Sequence, residues 1–288
     1  MPETTKLIHK YLRHDKKFPH VWCPGCGIGI TLGALIRAID RTGYRKDDVV
    51  LVSGIGCSGR LPVYVDFNTL HTTHGRALTF ATGVKLAKPR LNVIVIMGDG
   101  DAAAIGGNHF IHAARRNINL TAIIINNSVY GMTGGQHSPT TPYGMKSATT
   151  AYKHIEQAFK ISELAVTAGA AFVGRSTVYH ARYLDTLIEK AIRKAGFSVV
   201  EVISHCHTHY GRQNKLGSAV EMLEWQRDHS VTVEKAATMK PEELDDKIIV
   251  GVLVDKDLPV YEDEYARIRK QAKKAMESSR WDSAMRSD

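Results

Sequence analysis

Five short runs rich in β-branched and other apolar residues constrain the fold more than any other feature. They are Val49–Ser53, Asn92–Met97, Leu120–Asn126, Phe172–Gly174 and Ser198–Ile203. Each is bounded by turn residues and is apolar along its length rather than alternating, the pattern of a strand buried on both faces. Between them lie stretches with helical periodicity: Ile28–Ile39, Arg76–Leu86, Ala104–Arg115 and Ala181–Lys194. Ser162 is expected to cap a short helix running to Thr167, with Glu163 in its first turn. Strands alternating with helices predict an α/β fold, a mostly parallel sheet with helices on both faces. Ligands of such sheets sit beyond the carboxyl ends of the strands. The chemistry-bearing motifs should therefore follow the strands directly, and they do.

The 288 residues leave room for one large domain, and 43% hydrophobic with 23% charged residues is a globular composition that excludes a disordered or collagen-like chain. The segment MPETTKLIHKYLRHDKKFPH has no apolar centre of a secretory signal. The longest apolar stretches, such as Val93–Met97 and Ala122–Ile125, fall far short of the roughly 20 residues a membrane helix needs. A cytoplasmic protein without a membrane segment is expected, where stable disulfides are rare. After about Gly211 the texture changes. Gly217–His229 reads as a mixed helix, Ile248–Val254 as one more strand, and Tyr261–Asp288 as a polar end. Residues 1–214 are taken as one domain and 215–288 as a C-terminal extension, either a solvated helix or an arm packed on a partner subunit. The net charge, 38 − 29 = +9, invites an acidic partner. No basic helix with interleaved aromatics is present, so nucleic-acid binding is not expected.

The run Asn92–Met97 leads straight into Gly98-Asp99-Gly100-Asp101. Glycines let a backbone approach a phosphate closely, and a lone Asp in the turn is a hard oxygen ligand for Mg²⁺. The run ending at Ile125 opens into Asn126-Asn127-Ser128-Val129-Tyr130-Gly131, whose amides and carbonyls offer further oxygens. A helix starting near Ala103 is expected to turn its positive end toward the phosphates.

Trp22-Cys23-Pro24-Gly25-Cys26-Gly27 contains a Cys-x-x-Cys turn, Cys57 follows the first strand, and Cys206 follows the last of the five. Four thiolates converging at one rim could hold zinc or an iron–sulfur cluster. A redox pair is a further reading, but it leaves Cys57 and Cys206 unexplained. One pair and two distant singles lean toward a cluster. His205, His207 and His209 alternate about Cys206, as on an extended strand, and zinc binding by them stays open.

Gly98-Asp99-Gly100, the 25 residues Asp101 to Ile125, and Asn126-Asn127 resemble the signature of thiamine-diphosphate enzymes. With Trp22–Gly27, Gly54–Ser58, His71–Gly83, Asn126–Gln136 and Cys206, the chain resembles the β subunits of 2-oxoacid:ferredoxin oxidoreductases. The run His71-Thr72-Thr73-His74-Gly75-Arg76 is most similar to the 2-oxoglutarate type. The resemblance implies bound thiamine diphosphate, Mg²⁺ and one [4Fe–4S] cluster, an α subunit that completes the site, and an (αβ)₂ assembly. It implies CoA-dependent oxidative decarboxylation of a 2-oxoacid with reduction of ferredoxin, a reaction that can run backwards to fix CO₂. Pyruvate and branched-chain or aryl 2-oxoacids remain alternative substrates.

Carried over by position, Cys23, Cys26, Cys57 and Cys206 would ligate the cluster, and Asp99, Asn127 and the Val129 carbonyl would hold Mg²⁺. Gly98, Gly100, Asp101, Tyr130, Gly131, Met132 and Thr133 would line the diphosphate. Ile55, Gly56, Cys57, Ser58 and His74 would contact the cofactor. His71 and His74 are candidates for polar roles near the thiazolium ring. Arg60, three residues after Cys57, would bind the second carboxylate of 2-oxoglutarate through its bidentate fork. Two other classes fit less well. A cluster-free thiamine enzyme carries both its thiamine domains in one longer chain, and a zinc-bound nucleic-acid module would need a concentrated basic face.

Overall fold

The computed structural model describes residues 3–15 and 19–284. Its strands are Val49–Ser53 (β1), Asn68–His71 (β2), Asn92–Gly98 (β3), Thr121–Asn126 (β4), Val129–Tyr130 (β5), Gln136–His137 (β6), Phe172–Thr177 (β7), Ser198–Ile203 (β8), Ser230–Thr232 (β9) and Ile248–Asp255 (β10). Eight of them form one sheet in the order β2-β1-β3-β4-β8-β7-β10-β9, and β5 and β6 make a small separate hairpin. From β2 to β7 every pairing is parallel, while β10 runs antiparallel to β7 and β9 parallel to β10. The fold is the mostly parallel α/β sheet that the five apolar runs predict.

The helices are Glu3–Tyr11 (α1), Ile28–Thr42 (α2), Ala77–Ala87 (α3), Asp99–Ala103 (α4), Gly107–Arg116 (α5), Ile161–Thr167 (α6), Ala181–Arg193 (α7), Arg212–Asn214 (α8), Ala219–His229 (α9), Val233–Ala236 (α10) and Tyr261–Ala284 (α11). Successive residues of each central strand enter different cores, as the two-residue strand period requires. Val49, Leu51, Ile94, Ile96, Ile123 and Ile125 pack with α2 and α7 on one face. Val50, Val52, Val93, Val95, Ala122 and Ile124 pack with α3, α5 and α6 on the other. The α2–α7 layer is also tied by charge. Arg37 donates both Nε and NH2 to Asp185, at 2.7 and 2.9 Å, and the Asp185 carboxylate is buried.

Three local expectations change, and one strand lies where none was expected. The helix expected from Ala103–Ala104 is two helices. α4 begins at Asp99 itself, with Gly98 at its N-cap, and α5 begins only at Gly107. Ala104 leaves helical geometry between them. The Asp99–Asp101 acids thus lie in a first turn rather than ahead of one, and a five-residue helix adds little dipole. Ser162 is not a cap. Lys160 holds that position, and the Ser162 hydroxyl donates to Glu201. The alternating histidines do not continue a strand, because β8 ends at Ile203 and His207–Gly211 winds into a wide helical turn. Finally, β2 escaped the pattern because it is polar and exposed, Asn68-Thr69-Leu70-His71 at the sheet edge.

Residues 215–288 begin as a continuation of the sheet, through β9 and β10, and end in α11, whose described side chains are almost all exposed. The last four residues of the expected polar end, 285–288, lie outside the described residues. Among the described residues no helix is long and apolar enough to cross a membrane.

Phe110 on α5 is fully buried and meets Phe197, just before β8, edge to face at a centroid distance of 6.0 Å. Phe110→Ala is expected to cost roughly 3–5 kcal/mol through lost burial and an unfilled cavity. Denaturant unfolding would register this as a lower midpoint at unchanged slope.

Candidate active site

The chain reverses its direction of sheet growth between β1 and β3, since β2 lies outside β1 and every later strand lies on the other side. A crevice at the carboxyl ends of two such strands is the natural ligand site of a doubly wound sheet. Here β1 delivers Gly54–Ser58, β3 delivers Gly98–Asp101, and β4 delivers Asn126–Val129 to that edge. A cavity of about 110 Å³ opens there. It gathers Ile55, Gly56, Cys57, Ser58, His74, Gly98, Asp99, Gly100, Asp101, Asn127, Val129, Tyr130, Gly131, Met132 and Thr133. These are the fifteen positions the sequence marked for the cofactor. Ile28 and Ile125, unmarked in the sequence, complete the lining.

Asp99 sits at the floor, with only 3% of its surface exposed. Its Oδ2 accepts hydrogen bonds from Ser138 Oγ at 2.6 Å and Thr140 Oγ1 at 2.5 Å. Burial pushes its carboxyl above the usual range, and the two hydroxyls and the local backbone amides pull it part of the way back. Ser138 and Thr140 carry no signal in the sequence. They lie about forty residues from Asp99 on the loop after β6, and only the fold brings them under it.

Asp101 is equally buried. Its Oδ1 accepts from the Gly75 amide at 2.6 Å and faces His74 Nδ1 at 2.5 Å. Burial raises its carboxyl too, against the pull of the Gly75 amide and the His74 ring. Its Oδ2 is buried with no hydrogen-bond partner among the described residues. With Nδ1 committed to Asp101, Nε2 is the His74 nitrogen left to meet a ligand. Gly54 must be glycine, because a Cβ there would overlap the Asp101 carboxylate. Gly100 must be glycine for a second reason: a Cβ would strike the Tyr130 ring, which stands edge-on to His74.

The turn after β4 separates the two asparagines. Asn127 lines the cavity, whereas Asn126 turns its amide into the protein. Ser128 takes a left-handed φ of 60°, which swings the chain back toward the hairpin. One buried carboxylate, one asparagine and a freed carbonyl are the sparse, hard oxygen set that suits Mg²⁺ with a diphosphate supplying further oxygens.

A second cavity, of about 250 Å³, adjoins the first. Cys23, Cys26, Cys57 and Cys206 all line it, and all four are free thiols. The Cys23–Cys26 turn closes through the Cys26 amide on the Cys23 carbonyl, with Gly25 at a φ of +87° that favours glycine. Two hydrogen bonds lace the distant segments together. Trp22 Nε1 donates to the Cys57 carbonyl at 2.7 Å, and His205 Nε2 meets the Gly25 carbonyl at 2.9 Å. Burial pushes the Cys26 and Cys57 thiols up to about 11, and the neighbouring cysteines add to the rise. Thiols raised in this way become thiolates only against compensating positive charge. Among the described residues no three Cys, His, Asp or Glu side chains close around a single ion. Four thiols around a roomy cavity fit a multi-iron cluster better than one zinc, which draws its sulfurs to about 2.3 Å. His207 and His209 line this cavity as well.

Ile28, Cys57, Asn127, Gly131 and Met132 line both cavities, so the two share one wall. Arg60 and His71 line neither. His71 is exposed, with Nδ1 against Ser53 Oγ at 2.9 Å, and Arg60 is exposed as well.

A parallel sheet that presents Gly-Asp-Gly and a paired Asn at adjacent strand ends, over a buried carboxylate, defines a thiamine-diphosphate-binding domain. Residues 54–202 match the family model of the thiamine pyrophosphate enzyme, C-terminal TPP binding domain. The chain is 50% identical over 250 residues to the 2-oxoglutarate synthase subunit KorB of Methanothermobacter marburgensis, covering 87% of each chain. It is 60% identical over 199 residues to KorB of Archaeoglobus fulgidus, covering 69% of this chain and 74% of that one. A 2-oxoacid:ferredoxin oxidoreductase subunit beta from Saccharolobus solfataricus is 42% identical over 234 residues, or 81% of this chain and 76% of that one. Among solved structures, the 2-oxoglutarate:ferredoxin oxidoreductase from Magnetococcus marinus, with 2-oxoglutarate, coenzyme A and succinyl-CoA bound, superposes with a TM-score of 0.82 at 32% identity. The match covers 92% of this chain and 90% of that one. The chain belongs to the KorB family, the β subunits of 2-oxoglutarate:ferredoxin oxidoreductases.

Gly100→Ala forces the Tyr130 ring out of the cavity. Overpacking of this kind costs about 1–3 kcal/mol, so thiamine diphosphate is expected to bind roughly tenfold more weakly or worse. Equilibrium dialysis of the variant against wild type checks this.

Proposed function

We propose that this chain, with an α subunit in an (αβ)₂ assembly, carries out CoA-dependent oxidative decarboxylation of 2-oxoglutarate to succinyl-CoA and CO₂ while reducing ferredoxin. The observation that carries the reading is the shared wall: the strand-end cavity holding Asp99 and Asn127 lies directly against a cavity lined by four free thiols. When bound, thiamine diphosphate would supply an electron sink for decarboxylation and an iron–sulfur cluster a one-electron acceptor. The protein's own residues do the rest. Asp99, Asn127 and the Val129 carbonyl would hold Mg²⁺, which would supply positive charge for the diphosphate. Asp101 fixes the His74 ring through Nδ1, leaving Nε2 for a proton at the reacting centre. Cys23, Cys26, Cys57 and Cys206, which line the adjoining cavity, would hold the cluster.

Several features support the finer points. The 110 Å³ cavity is smaller than the roughly 300–1,000 Å³ typical of small-molecule sites. Ile55 and Met132 stand exposed at its rim, so a second chain, the α subunit, is needed to cover the cofactor. The polar α11 and the extension from residue 215 are proposed to pack on that subunit. The solved relative from Magnetococcus marinus has coenzyme A and 2-oxoglutarate bound, and both are proposed as substrates here. The net charge of +9 suits docking of an acidic ferredoxin. Four free thiols and an oxygen-sensitive cluster fit the reducing cytoplasm.

Arg60 is exposed three residues after Cys57, and its amide donates to the Cys57 carbonyl. Its guanidinium is proposed to bind the distal carboxylate of 2-oxoglutarate. Arg60→Ala is then expected to raise KM for 2-oxoglutarate far more than for pyruvate, in a CoA-dependent dye-reduction assay of the co-purified complex. Equal effects on both acids would remove Arg60 from the site and weaken the choice of 2-oxoglutarate.

The cluster has its own test. Anaerobically purified complex is expected to be brown, and Cys206→Ala to lose the colour and most of the β-subunit iron while keeping thiamine diphosphate. A colourless wild-type β subunit with stoichiometric zinc would overturn the assignment.

A further inference from the structure

The Asn126 amide is held by a buried carboxylate that the reaction itself does not use. Glu201 on β8 is only 3% exposed, and its two oxygens accept from three donors. Oε1 accepts from Asn126 Nδ2 at 2.8 Å. Oε2 accepts from the Ser162 amide at 3.2 Å and from the Ser162 hydroxyl at 2.5 Å. Arg175 NH1 lies 3.9 Å from the same oxygen, and Arg175 Nε is anchored on the Ile249 carbonyl at 2.7 Å. The Ser162 amide and the Arg175 guanidinium can only donate, so Glu201 presents acceptor oxygens to its neighbours.

This fixes which way round the Asn126 amide lies. Its nitrogen must face Glu201, so its oxygen must face the other way. There Oδ1 accepts from the Ser128 amide at 3.2 Å. That bond shapes the left-handed turn that presents Asn127 and the Val129 carbonyl. The Thr140 hydroxyl lies 2.9 Å from the same oxygen, but its one proton serves Asp99. Glu201 and Asn126 thus link the buried interior to the turn on the Asn127 side of the cation site.

We infer that Glu201 is a positioning residue for the Mg²⁺–diphosphate turn and that it acts through Asn126, so that an amide at 126 and a carboxylate at 201 form a matched pair. The inference rests on the proposed metal-bound diphosphate and deepens it. Asn126→Asp would set two carboxylates at hydrogen-bond distance. Glu201→Gln would put an NH₂ against either the Ser162 amide or the Asn126 amide. Made together, the two changes restore complementarity. The side-chain NH₂ introduced by E201Q donates to the carboxylate introduced by N126D, and its oxygen accepts from Ser162. The other oxygen of the new carboxylate accepts from the Ser128 amide.

The test uses the full αβ complex, stripped of Mg²⁺ and thiamine diphosphate by chelation and gel filtration. Bound thiamine diphosphate is measured by equilibrium dialysis while Mg²⁺ is titrated back, and Tm is recorded in parallel. Coupled neighbours typically interact by amounts worth about tenfold in an equilibrium constant. N126D and E201Q are therefore each expected to raise the half-saturating Mg²⁺ about tenfold, and N126D/E201Q to return it to within about threefold of wild type. Where a single variant fails to fold, a folded double variant with near-wild-type Mg²⁺ dependence supports the pair, and an unfolded double variant overturns it. A double variant as weak as the product of the singles overturns the inference. So do variants that lose Tm while keeping the wild-type Mg²⁺ dependence, since that marks a merely structural role. Failure of the underlying reading is separately visible without any variant: wild-type complex that takes up thiamine diphosphate independently of Mg²⁺ refutes both.

Discussion

The carboxylate of Asp99, buried at the meeting point of β3, β4 and the loop after β6, is the constraint on which the rest of the site depends. An ionised carboxylate out of water costs far more than a single hydrogen bond returns. Ser138 and Thr140 supply two hydroxyls, yet burial still holds the group above its usual titration range. A divalent cation beside it would compensate the charge, and that is the role the strand-end geometry offers. The surroundings follow from this need. Gly98 and Gly100 clear the approach, Tyr130 fills the space that a side chain at 100 would occupy, and Asn127 is turned into the cavity by a left-handed turn at Ser128. Asp101 adds a second buried carboxylate, with one oxygen bonded and the other without a partner among the described residues.

The sheet makes this arrangement possible because β1, β3 and β4 run parallel and end at the same edge. Their pairing ends at Ser53, Gly98 and Asn126, so the segments that follow leave the sheet at one edge. The cysteines use the same edge. Cys57 follows β1 and Cys206 follows β8, while the Cys23–Cys26 turn precedes α2, and Trp22 and His205 tie the three segments together. A cofactor cavity and a thiol cavity therefore share a wall without any element reaching across the fold. The +9 charge, which invites an acidic partner, suits the proposed diphosphate, acidic substrate and ferredoxin.

Much of this is legible in the sequence for a local reason. Buried parallel strands are apolar from end to end, so their limits and the motifs after them stand out; the fifteen marked positions line one cavity mainly because they follow three strand ends. What the sequence hides is non-local or masked by its own surroundings. Ser138 and Thr140 sit on an irregular loop with no pattern to connect them to Asp99. Glu201 is a single acid inside the apolar run Ser198–Ile203, and its partners Asn126, Ser162 and Arg175 come from three other elements. The two-residue strand period alone would place it among the core side chains. Ser162 resembles a cap because local spacing favours that reading, but a buried carboxylate outcompetes a helix terminus for its hydroxyl. The break between α4 and α5 falls at Ala104–Gly106, where helical periodicity persists across a change of direction.

On the proposed reading, the thiamine site and the thiol cavity work as one unit, with electrons crossing the shared wall. The direct measurement is electron paramagnetic resonance of the anaerobic complex after addition of 2-oxoglutarate, with coenzyme A and ferredoxin withheld. The account expects the substrate alone to produce the signal of a reduced cluster in the β subunit. A cluster that stays silent with 2-oxoglutarate, yet is reduced by dithionite, would contradict it.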